Sequence, residues 1–212
     1  MLTVVGNLKG GTGKSTVAFN LAVWLAHDKS GVMAFDLDPQ CTLVDVCEVR
    51  EEDGFEPTFE VSTDLAELEE MVKDKKNKTP IIVDMSATNM PAMERAIELA
   101  DRVLIPVQPS QADIWSTQRF LKTVHACIAR GKGAKKTEVL GFINRADTHI
   151  GVRETGEAEE ALEMLQGIKA LGVRLYQRTA YRRSFSEGLG VFELDPMGKA
   201  SKEMKRLATL LD

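Results

Sequence analysis

Residues 2–16 read LTVVGNLKGGTGKST, and this stretch decides the fold. The run from Leu2 to Val5 is mostly apolar and β-branched, which is typical of a strand buried in a sheet. A glycine-rich segment follows, and helical spacing of apolar residues begins after Ser15. Glycines let the backbone turn tightly enough for several N–H groups to point inward, and the start of a helix adds partial positive charge. The order of strand, glycine loop and helix therefore predicts a phosphate-binding loop.

The lysine and hydroxyl residues of this loop have a spacing that suits nucleotide phosphates. Lys14 is placed to reach β- and γ-phosphates, and the Ser15 hydroxyl to ligate Mg²⁺. Gly6 lies too far from Lys14 for the plain Walker pattern, so the closer form is K-G-G-x-x-K-[ST], which adds Lys9. A glycine–lysine cluster can also be a flexible surface loop, but the strand before it and the helix after it favour phosphate binding. The predicted nucleotide-binding residues of the loop are Gly10, Gly11, Thr12, Gly13, Lys14, Ser15 and Thr16.

The rest of the chain alternates between strand-like and helix-like segments. Strands are predicted at residues 2–5, 31–35, 81–83, 102–106, 138–143 and 173–175. Helices are predicted at residues 15–26, 63–73, 91–99, 114–129, 154–165 and 196–211, where apolar residues recur at three- and four-residue spacing. A run such as Pro80-Ile81-Ile82-Val83 has no polar face, so we expect helices to cover both sides of the sheet. These patterns predict an α/β fold with a doubly wound, mostly parallel sheet, in a single domain over residues 1–212.

Two carboxylates follow predicted strands and are candidates for a metal site. Asp84 ends the apolar run 81–83, which is the Walker B arrangement that places a carboxylate near Mg²⁺. Asp38 lies in the segment Phe35-Asp36-Leu37-Asp38-Pro39-Gln40, at the end of another strand. That segment can be a turn closed by an aspartate side chain, or it can present Asp38 to a phosphate and to Mg²⁺. Ser15, Asp38 and Asp84 are therefore the candidate metal residues.

With these motifs the chain resembles the ParA/MinD family of deviant Walker P-loop ATPases, and the resemblance covers nearly its whole length. It implies ATP and Mg²⁺ as ligands, and hydrolysis of ATP to ADP and phosphate that is weak without a partner. It also implies that Lys9 crosses the interface of a nucleotide-sandwich homodimer to the partner's phosphates, and that Asp38 orients the attacking water. Lys9, Lys14 and Asp38 are thus the expected catalytic residues. Asn144 and Arg145 match the position that contacts adenine, although a simple turn fits them equally well.

Two segments depart from the family pattern. Cys41-Thr42 stands where many relatives have glycine and serine, and no catalytic role depends on that change. Met85-Ser86-Ala87 follows Asp84 where many relatives have threonine or a glycine/proline pair. The second departure indicates a different surface for partners at this point.

Members of this family position plasmids, chromosomes, division inhibitors, chemoreceptor arrays and other large cargo, so the resemblance implies a small partition or positioning protein. It implies binding to non-specific DNA and to a centromere-binding or cargo adaptor protein that stimulates hydrolysis. The formal net charge is -5, so the whole molecule has no general attraction for DNA and a local patch is required. Arg178, Arg182 and Arg183 lie in one short stretch with two tyrosines and are the predicted DNA contacts.

The ends of the chain and its apolar runs indicate where the protein works. No leader-like segment precedes the first strand, and no apolar stretch approaches the roughly 20 residues that span a bilayer. The sequence stops with the last predicted helix, which is needed to cover the core. We therefore expect a cytoplasmic, nucleoid-associated protein without a membrane partner.

Two other functions on the same fold stay open. A metal-cluster reductase or scaffold needs cysteines placed for a shared site, and Cys41, Cys47 and Cys127 are poorly spaced for one. A ligase of the dethiobiotin synthetase kind has no need for Lys9. Nucleotide-dependent DNA binding favours the partition protein, whereas ATP consumption tied to a small acid favours the ligase.

Overall fold

The computed structural model describes residues 1–28, 31–131, 137–149 and 153–211. Within these ranges the strands are β1 (Leu2–Val5), β2 (Met33–Asp36), β3 (Glu60–Ser62), β4 (Ile81–Asp84), β5 (Arg102–Val107), β6 (Glu138–Ala146) and β7 (Lys169–Tyr176). The helices are α1 (Lys14–His27), α2 (Thr42–Glu52), α3 (Leu65–Lys73), α4 (Met90–Leu99), α5 (Gln111–Arg130), α6 (Glu154–Met164), α7 (Thr179–Ser186), α8 (Val191–Leu194) and α9 (Lys199–Leu211). A 3₁₀ turn, Ala87–Asn89, precedes α4.

The described strands form one sheet in the order β3-β2-β4-β1-β5-β6-β7, and all neighbouring strands are parallel. Every residue of β1, β4 and β5 is buried, as expected for strands covered on both faces. The predicted α/β class with a doubly wound parallel sheet is confirmed. Because β1 lies at the centre, its carboxyl end opens between β4 and β5, where ligands bind in folds of this type.

Two apolar cores sandwich the sheet. On one face Met93 and Ile97 of α4 pack with Phe120 of α5, all fully buried. On the other face Phe19 of α1 and Leu207 of α9 are fully buried in the second core. These four helices therefore pack on the two faces of the sheet through apolar side chains.

Four elements, α2, β3, α7 and α8, are not predicted by the apolar pattern. In α2 the reason is Arg50, which occupies an inward-facing position and is only 1% exposed. Its guanidinium donates to Glu193 in α8 through two hydrogen bonds of 2.8 Å, and to the carbonyls of Gly188 at 2.9 Å and Pro57 at 3.0 Å. A fully paired arginine therefore replaces an apolar anchor, which hides the helix from a hydrophobicity pattern.

The C-terminal helix packs on the domain as predicted, with Met204, Leu207 and Leu211 buried. It begins at Lys199 rather than at residue 196, and Leu210, which the predicted stripe included, is 49% exposed. None of the helices in the described ranges combines the length and the apolarity that crossing a membrane requires.

Candidate nucleotide-binding site

Three strand ends bring the candidate residues together. Val5 is paired with Asp84 in the register of β1 and β4, and Asp36 is paired with Asp84 in the register of β2 and β4. On the other side of β1, Val5 is paired with Leu104 of β5. Parallel strands present their carboxyl ends at one edge of the sheet, so the glycine loop, the segment after β2 and Asp84 meet there.

The glycine loop has a backbone conformation that requires glycine at two positions. Gly11 has φ 74° and Gly13 has φ 86°, both in the left-handed region. A Cβ on Gly13 would lie 2.4 Å from Asn144 Nδ2, so the close approach of β6 excludes a larger residue. At Gly10 and Gly11 a Cβ would meet nothing within 4 Å, because the loop faces open space there.

The backbone N–H groups of the loop from Gly10 onward have no hydrogen-bond acceptor in the described part of the chain. From Gly10 to Thr16 they donate no hydrogen bond to any described residue, and this row includes the first turn of α1. Unpaired donors at a helix N-terminus, together with the helix dipole, form a site for an anion. The loop therefore fits the phosphates of a nucleotide.

Amide side chains brace this loop against neighbouring strand ends. Asn7 is fully buried, and its Nδ2 donates to a carbonyl of β5 at 2.9 Å. Gln108 Nε2 donates to Gly11 O at 2.8 Å, and Asn144 Nδ2 donates to Thr12 O at 2.6 Å. Sequence reasoning missed the first two, although each amide lies at or just beyond the end of a predicted strand, where loop carbonyls need donors.

Lys14 is buried at the start of α1, and its ammonium contacts the loop. Nζ donates to Lys9 O at 3.3 Å. Burial lowers the pKa of Lys14, while the charges of Asp84 and Asp38 act in the opposite direction. The lysine thus lies near both candidate carboxylates, as the sequence predicts for a phosphate-binding residue.

Asp84 is a fully buried carboxylate near the Ser15 hydroxyl. Neither of its oxygens has a hydrogen-bond partner among the described residues. Burial raises the pKa of Asp84 to about 7, and the Ser15 hydroxyl and the Lys14 charge oppose this rise. A hydrated cation would satisfy such a carboxylate, because burial of an unpaired charge is costly. Mg²⁺ fits Asp84 and Ser15, since it is usually held by one or two carboxylates with substrate phosphates.

The two aspartates after β2 have different surroundings. The carboxylate of Asp36 is buried and accepts hydrogen bonds from the N–H groups of Asp38 at 3.1 Å, Leu43 at 2.8 Å and Val44 at 3.2 Å. Asp36 therefore fixes this segment and caps the first turn of α2, a role that sequence reasoning missed. Asp38 is half-buried, and its Oδ1 accepts a hydrogen bond from Gln40 N at 3.0 Å. The turn that the sequence Asp36-Leu37-Asp38-Pro39 allows is thus present. Asp38 also lies close enough to Lys14 for its negative charge to raise the pKa of the lysine.

Lys9, the additional lysine of the motif, is engaged within its own chain. Its Nζ forms an ion pair with Asp113 of α5, and 40% of the Lys9 side chain but only 1% of the Asp113 side chain is exposed. Asp113 also accepts a hydrogen bond from the Ser110 hydroxyl. Sequence reasoning missed Asp113, although the S-x-x-D spacing from Ser110 marks the start of a helix.

A cavity opens beside Gly13 and extends toward α7. Its lining includes Asn144, Arg145, Arg178 and Arg182. Arg145 is exposed and has a positive φ of 56°. The two residues predicted to contact adenine therefore share one cavity with two of the three arginines predicted to contact DNA.

The three predicted DNA contacts differ in what they bind. Arg178 forms an ion pair with Glu203 at 2.6 Å, lies 5.1 Å from the centre of the Tyr176 ring and has a side chain only 23% exposed. Arg183 pairs with Glu187 at 2.8 Å, with 68% of its side chain exposed. Arg182 is exposed, and its guanidinium has no ion pair with a described residue. The ion pair and the ring contact of Arg178 stabilise the fold, whereas Arg182 is the one of these three arginines without an ion pair to a described residue.

The cysteines give little support to a shared metal cluster. Cys47 and Cys127 are buried, and only Cys41 is partly exposed. Burial raises the pKa of the Cys47 thiol to about 12 and also raises that of Cys127. Metals bind the thiolate, so both buried cysteines are in surroundings that disfavour the ligating form.

Fold and site together define a P-loop nucleotide-binding protein. Residues 3–206 match the sequence model of the family described as the CobQ/CobB/MinD/ParA nucleotide binding domain. The chain belongs to this family, as the ParA/MinD motifs predict.

Similar proteins span nearly the same length. The "Maintenance of carboxysome distribution protein A" of Halothiobacillus neapolitanus is 27% identical over 206 residues, which cover 94% of this chain and 90% of that protein. Protein ParA of Rhizobium radiobacter is 27% identical over 190 residues, which cover 88% of this chain and 83% of that protein.

Solved structures share the fold. A Cyanothece McdA variant in complex with ATP has a TM-score of 0.74 at 18% identity, covering 99% of this chain and 95% of that one. MinD of Pyrococcus horikoshii with Mg-ADP has a TM-score of 0.70 at 20% identity, covering 100% of this chain and 95% of that one.

Proposed function

We propose that this protein hydrolyses ATP to ADP and phosphate and uses the reaction to position a large cargo. The observation that carries the proposal is the row of unpaired N–H groups from Gly10 to Thr16, next to the Lys14 ammonium and the donor-free carboxylate of Asp84. Polar groups are rarely left unpaired unless a ligand completes them. A nucleotide triphosphate with a divalent cation has the charges and oxygens that complete all three.

Each polar group has a separate role in this proposal. The backbone of residues 10–16 and the Lys14 ammonium bind the phosphates, and Ser15 and Asp84 hold Mg²⁺, with Asp38 as an outer carboxylate. Bound Mg²⁺ supplies positive charge that offsets charge on the β- and γ-phosphate oxygens. Asp84 suits this role because it is already desolvated and no described residue gives its oxygens a hydrogen bond of standard geometry.

Asp38 is proposed to orient the attacking water. Its Oδ1 is held by the N–H of Gln40, and its backbone N–H is held by Asp36. No described residue gives its other carboxylate oxygen a hydrogen bond, so that oxygen is available to accept one from water. These two hydrogen bonds fix the position of Asp38 and leave one carboxylate oxygen to orient the attacking water.

Self-association is proposed to complete the site. Lys9 of a second copy would add a cation at the γ-phosphate, where charge builds during hydrolysis. ATP would then be shared between two chains, and its hydrolysis would loosen the dimer.

The cavity beside Gly13 is proposed to hold the nucleoside. Asn144 already donates through Nδ2 to Thr12 O, so its Oδ1 is the atom left to accept a hydrogen bond from a base. Arg145 lines the same cavity. The Asn144 side chain would therefore link a base bound in the cavity to the backbone of the phosphate-binding loop.

Non-specific DNA is proposed to bind a basic face that includes Arg182. Lys199, Lys202 and Arg206 are exposed on α9 at spacings of three and four residues, so they lie on one side of that helix. The lysines have no ion pair with a described residue, and Arg206 only reaches a carbonyl at 3.4 Å. Arg183 can contribute by leaving its exposed partner, whereas Arg178 is occupied. A dimer would double this face, which strengthens binding to phosphates.

The cargo and the stimulating adaptor are proposed by similarity. Relatives over nearly the whole chain are named for carboxysome distribution and for ParA. These names fit a cargo that is a plasmid, a chromosome or a large protein assembly. A centromere-binding or cargo adaptor protein would connect this cargo to the ATPase. The proposed site of action is the cytoplasm, on the nucleoid.

The test is DNA binding by the Asp38→Ala protein with ATP, with ADP and without nucleotide, over a series of salt concentrations. We expect an ATP-bound dimer that does not turn over and that binds duplex DNA more tightly than the ADP form. Binding should fall with salt, because it depends on phosphate contacts. Equal binding in all three nucleotide states would contradict the DNA part, and ATP turnover at the wild-type rate would remove Asp38 from the mechanism.

A further inference from the structure

The loop lysine Lys9 is held by a buried carboxylate of its own chain. Asp113 lies at the third position of α5, and its carboxylate contacts both the Lys9 ammonium and the Ser110 hydroxyl. Its backbone N–H donates to Ser110 Oγ at 3.1 Å. Oδ1 of Asp113 is buried without a hydrogen-bond partner among the described residues. Lys9 is therefore the cation that compensates this buried carboxylate.

The Lys9 backbone is tied to the phosphate site at the same time. Its carbonyl accepts the hydrogen bond from Lys14 Nζ at 3.3 Å, and its N–H donates to Asn7 Oδ1 at 3.2 Å. The Lys14 ammonium has three N–H donors, so it can contact a phosphate as well as this carbonyl. The backbone of Lys9 is therefore directly connected to the group that is expected to bind phosphate.

We propose that Asp113 is a positioning residue that holds Lys9 in its own chain and thereby sets how tightly two ATP-bound chains associate; this rests on the proposed dimerising function. The ammonium cannot contact Asp113 and a partner's phosphates together. When the Lys9 ammonium leaves, the buried carboxylate of Asp113 loses its compensating cation, which costs free energy. This cost opposes dimerisation until ATP is present to attract the lysine. The pair favours the monomer in the absence of ATP and makes association depend on the γ-phosphate.

The main experiment compares Asp38→Ala with Asp38→Ala/Asp113→Asn by analytical ultracentrifugation with ATP, with ADP and without nucleotide. Asparagine keeps the shape and can still accept from Ser110, but it removes the charge. We expect the dimer Kd with ATP to fall only roughly tenfold, since 40% of the Lys9 side chain is exposed and solvent weakens the ion pair. We also expect a measurable dimer with ADP. An unchanged or weaker dimer in the double variant would overturn the proposal.

Two controls separate charge from helix capping. Ser110→Ala removes the hydroxyl that caps α5 but leaves the ion pair, so the dimer Kd should stay within about twofold. Glu187→Gln removes a carboxylate whose partner is Arg183, and it too should leave the dimer unchanged. A gain in dimerisation from either control equal to that of Asp113→Asn would overturn the specific role of Asp113.

Lysine reactivity tests the contact without any dimer. An amine-acetylating reagent should modify Lys9 of the nucleotide-free Asp113→Asn monomer several-fold faster than Lys9 of the wild type, measured by mass spectrometry with Lys199 as the internal reference. Equal reactivity would overturn the proposal even if the protein dimerises. Conversely, if Asp38→Ala forms no ATP-dependent dimer while Lys9 becomes more reactive, the proposed dimerisation fails and the intramolecular contact stands.

Discussion

The glycine-loop edge of the sheet and the face formed by β7, α7 and α9 are both rich in charged and polar groups, but they differ in how those groups are satisfied. At the loop edge, the N–H groups of residues 10–16 and both oxygens of Asp84 lack partners in the described structure. On the other face, Arg174 pairs with Glu159 and Arg178 pairs with Glu203. Unsatisfied groups indicate where a ligand binds, whereas the number of arginines in a stretch does not.

The largest effect that would test this contrast is expected for Lys14→Ala. ATP affinity should fall by more than about 100-fold, because a buried charge-assisted contact to phosphate is lost. Isothermal titration calorimetry with Mg-ATP measures this. Arg183→Ala is the matched control, since its exposed pair with Glu187 lies outside the loop, and its ATP affinity should match the wild type. Normal ATP binding by Lys14→Ala would remove the loop from the site.

Asp84→Asn should have opposite effects on stability and on turnover. Without nucleotide, the free energy of unfolding at pH 8 should rise by roughly 2 kcal/mol, because a buried carboxylate without donors becomes neutral. The folded-state pKa is raised to about 7, so the variant's advantage should grow as pH rises through roughly 4 to 7 and then level off. Mg²⁺-dependent hydrolysis should fall at least about tenfold.

Asp36→Asn is the matched control for that change in stability. Burial raises the pKa of Asp36 as well, but its carboxylate accepts three N–H bonds that oppose this rise, so its replacement should destabilise the protein by about 1 kcal/mol. Urea unfolding measures both variants. If both substitutions shift stability in the same direction, the contrast between satisfied and unsatisfied carboxylates is wrong.

The smallest expected effects distinguish Arg178 from Arg182. Arg178→Ala should lower the free energy of unfolding by about 1 kcal/mol, because it breaks a partly buried pair and a ring contact. Arg182→Ala should leave stability within about 0.5 kcal/mol but weaken DNA binding and reduce its salt slope by about one per chain. A larger loss of DNA affinity from Arg178→Ala, at unchanged stability, would show that the paired arginine is the contact.

The fold could be predicted because apolar periodicity reports burial directly. The runs at 2–5, 81–83 and 102–106 are strands, since each position in them is buried between two helix layers. The edge strand β3 escaped prediction because one of its three residues is exposed and the other two are partly exposed. Helix α7 escaped because it buries only Ser184, so its sequence lacks an apolar stripe.

The parts of the candidate site that a local motif encodes could be predicted. The contacts between residues far apart in the sequence could not. The glycine loop, Lys14 and Asp84 can be predicted from local spacing. The partner of Lys9 lies 104 residues away, and the partner of Asn7 lies 99 residues away, so no local pattern reveals either. Arg178 shows the reverse difficulty, because its charge is visible in the sequence and its ion pair with Glu203 is not.

The helix α2 is anchored at both ends, and this restricts how the segment before it can move. Its first turn is fixed to β2 through Asp36, and its last turn is fixed through Arg50 to Glu193, which also accepts a hydrogen bond from Gly190 N at 2.7 Å. Tightly packed elements shift as rigid bodies or not at all. Any rearrangement of Asp38 between ATP and ADP must therefore be absorbed by torsion changes within residues 37–41. Residues 37–41 would therefore be the hinge of the proposed ATPase, and we expect any change at the γ-phosphate to be transmitted to a partner by this loop rather than by α2.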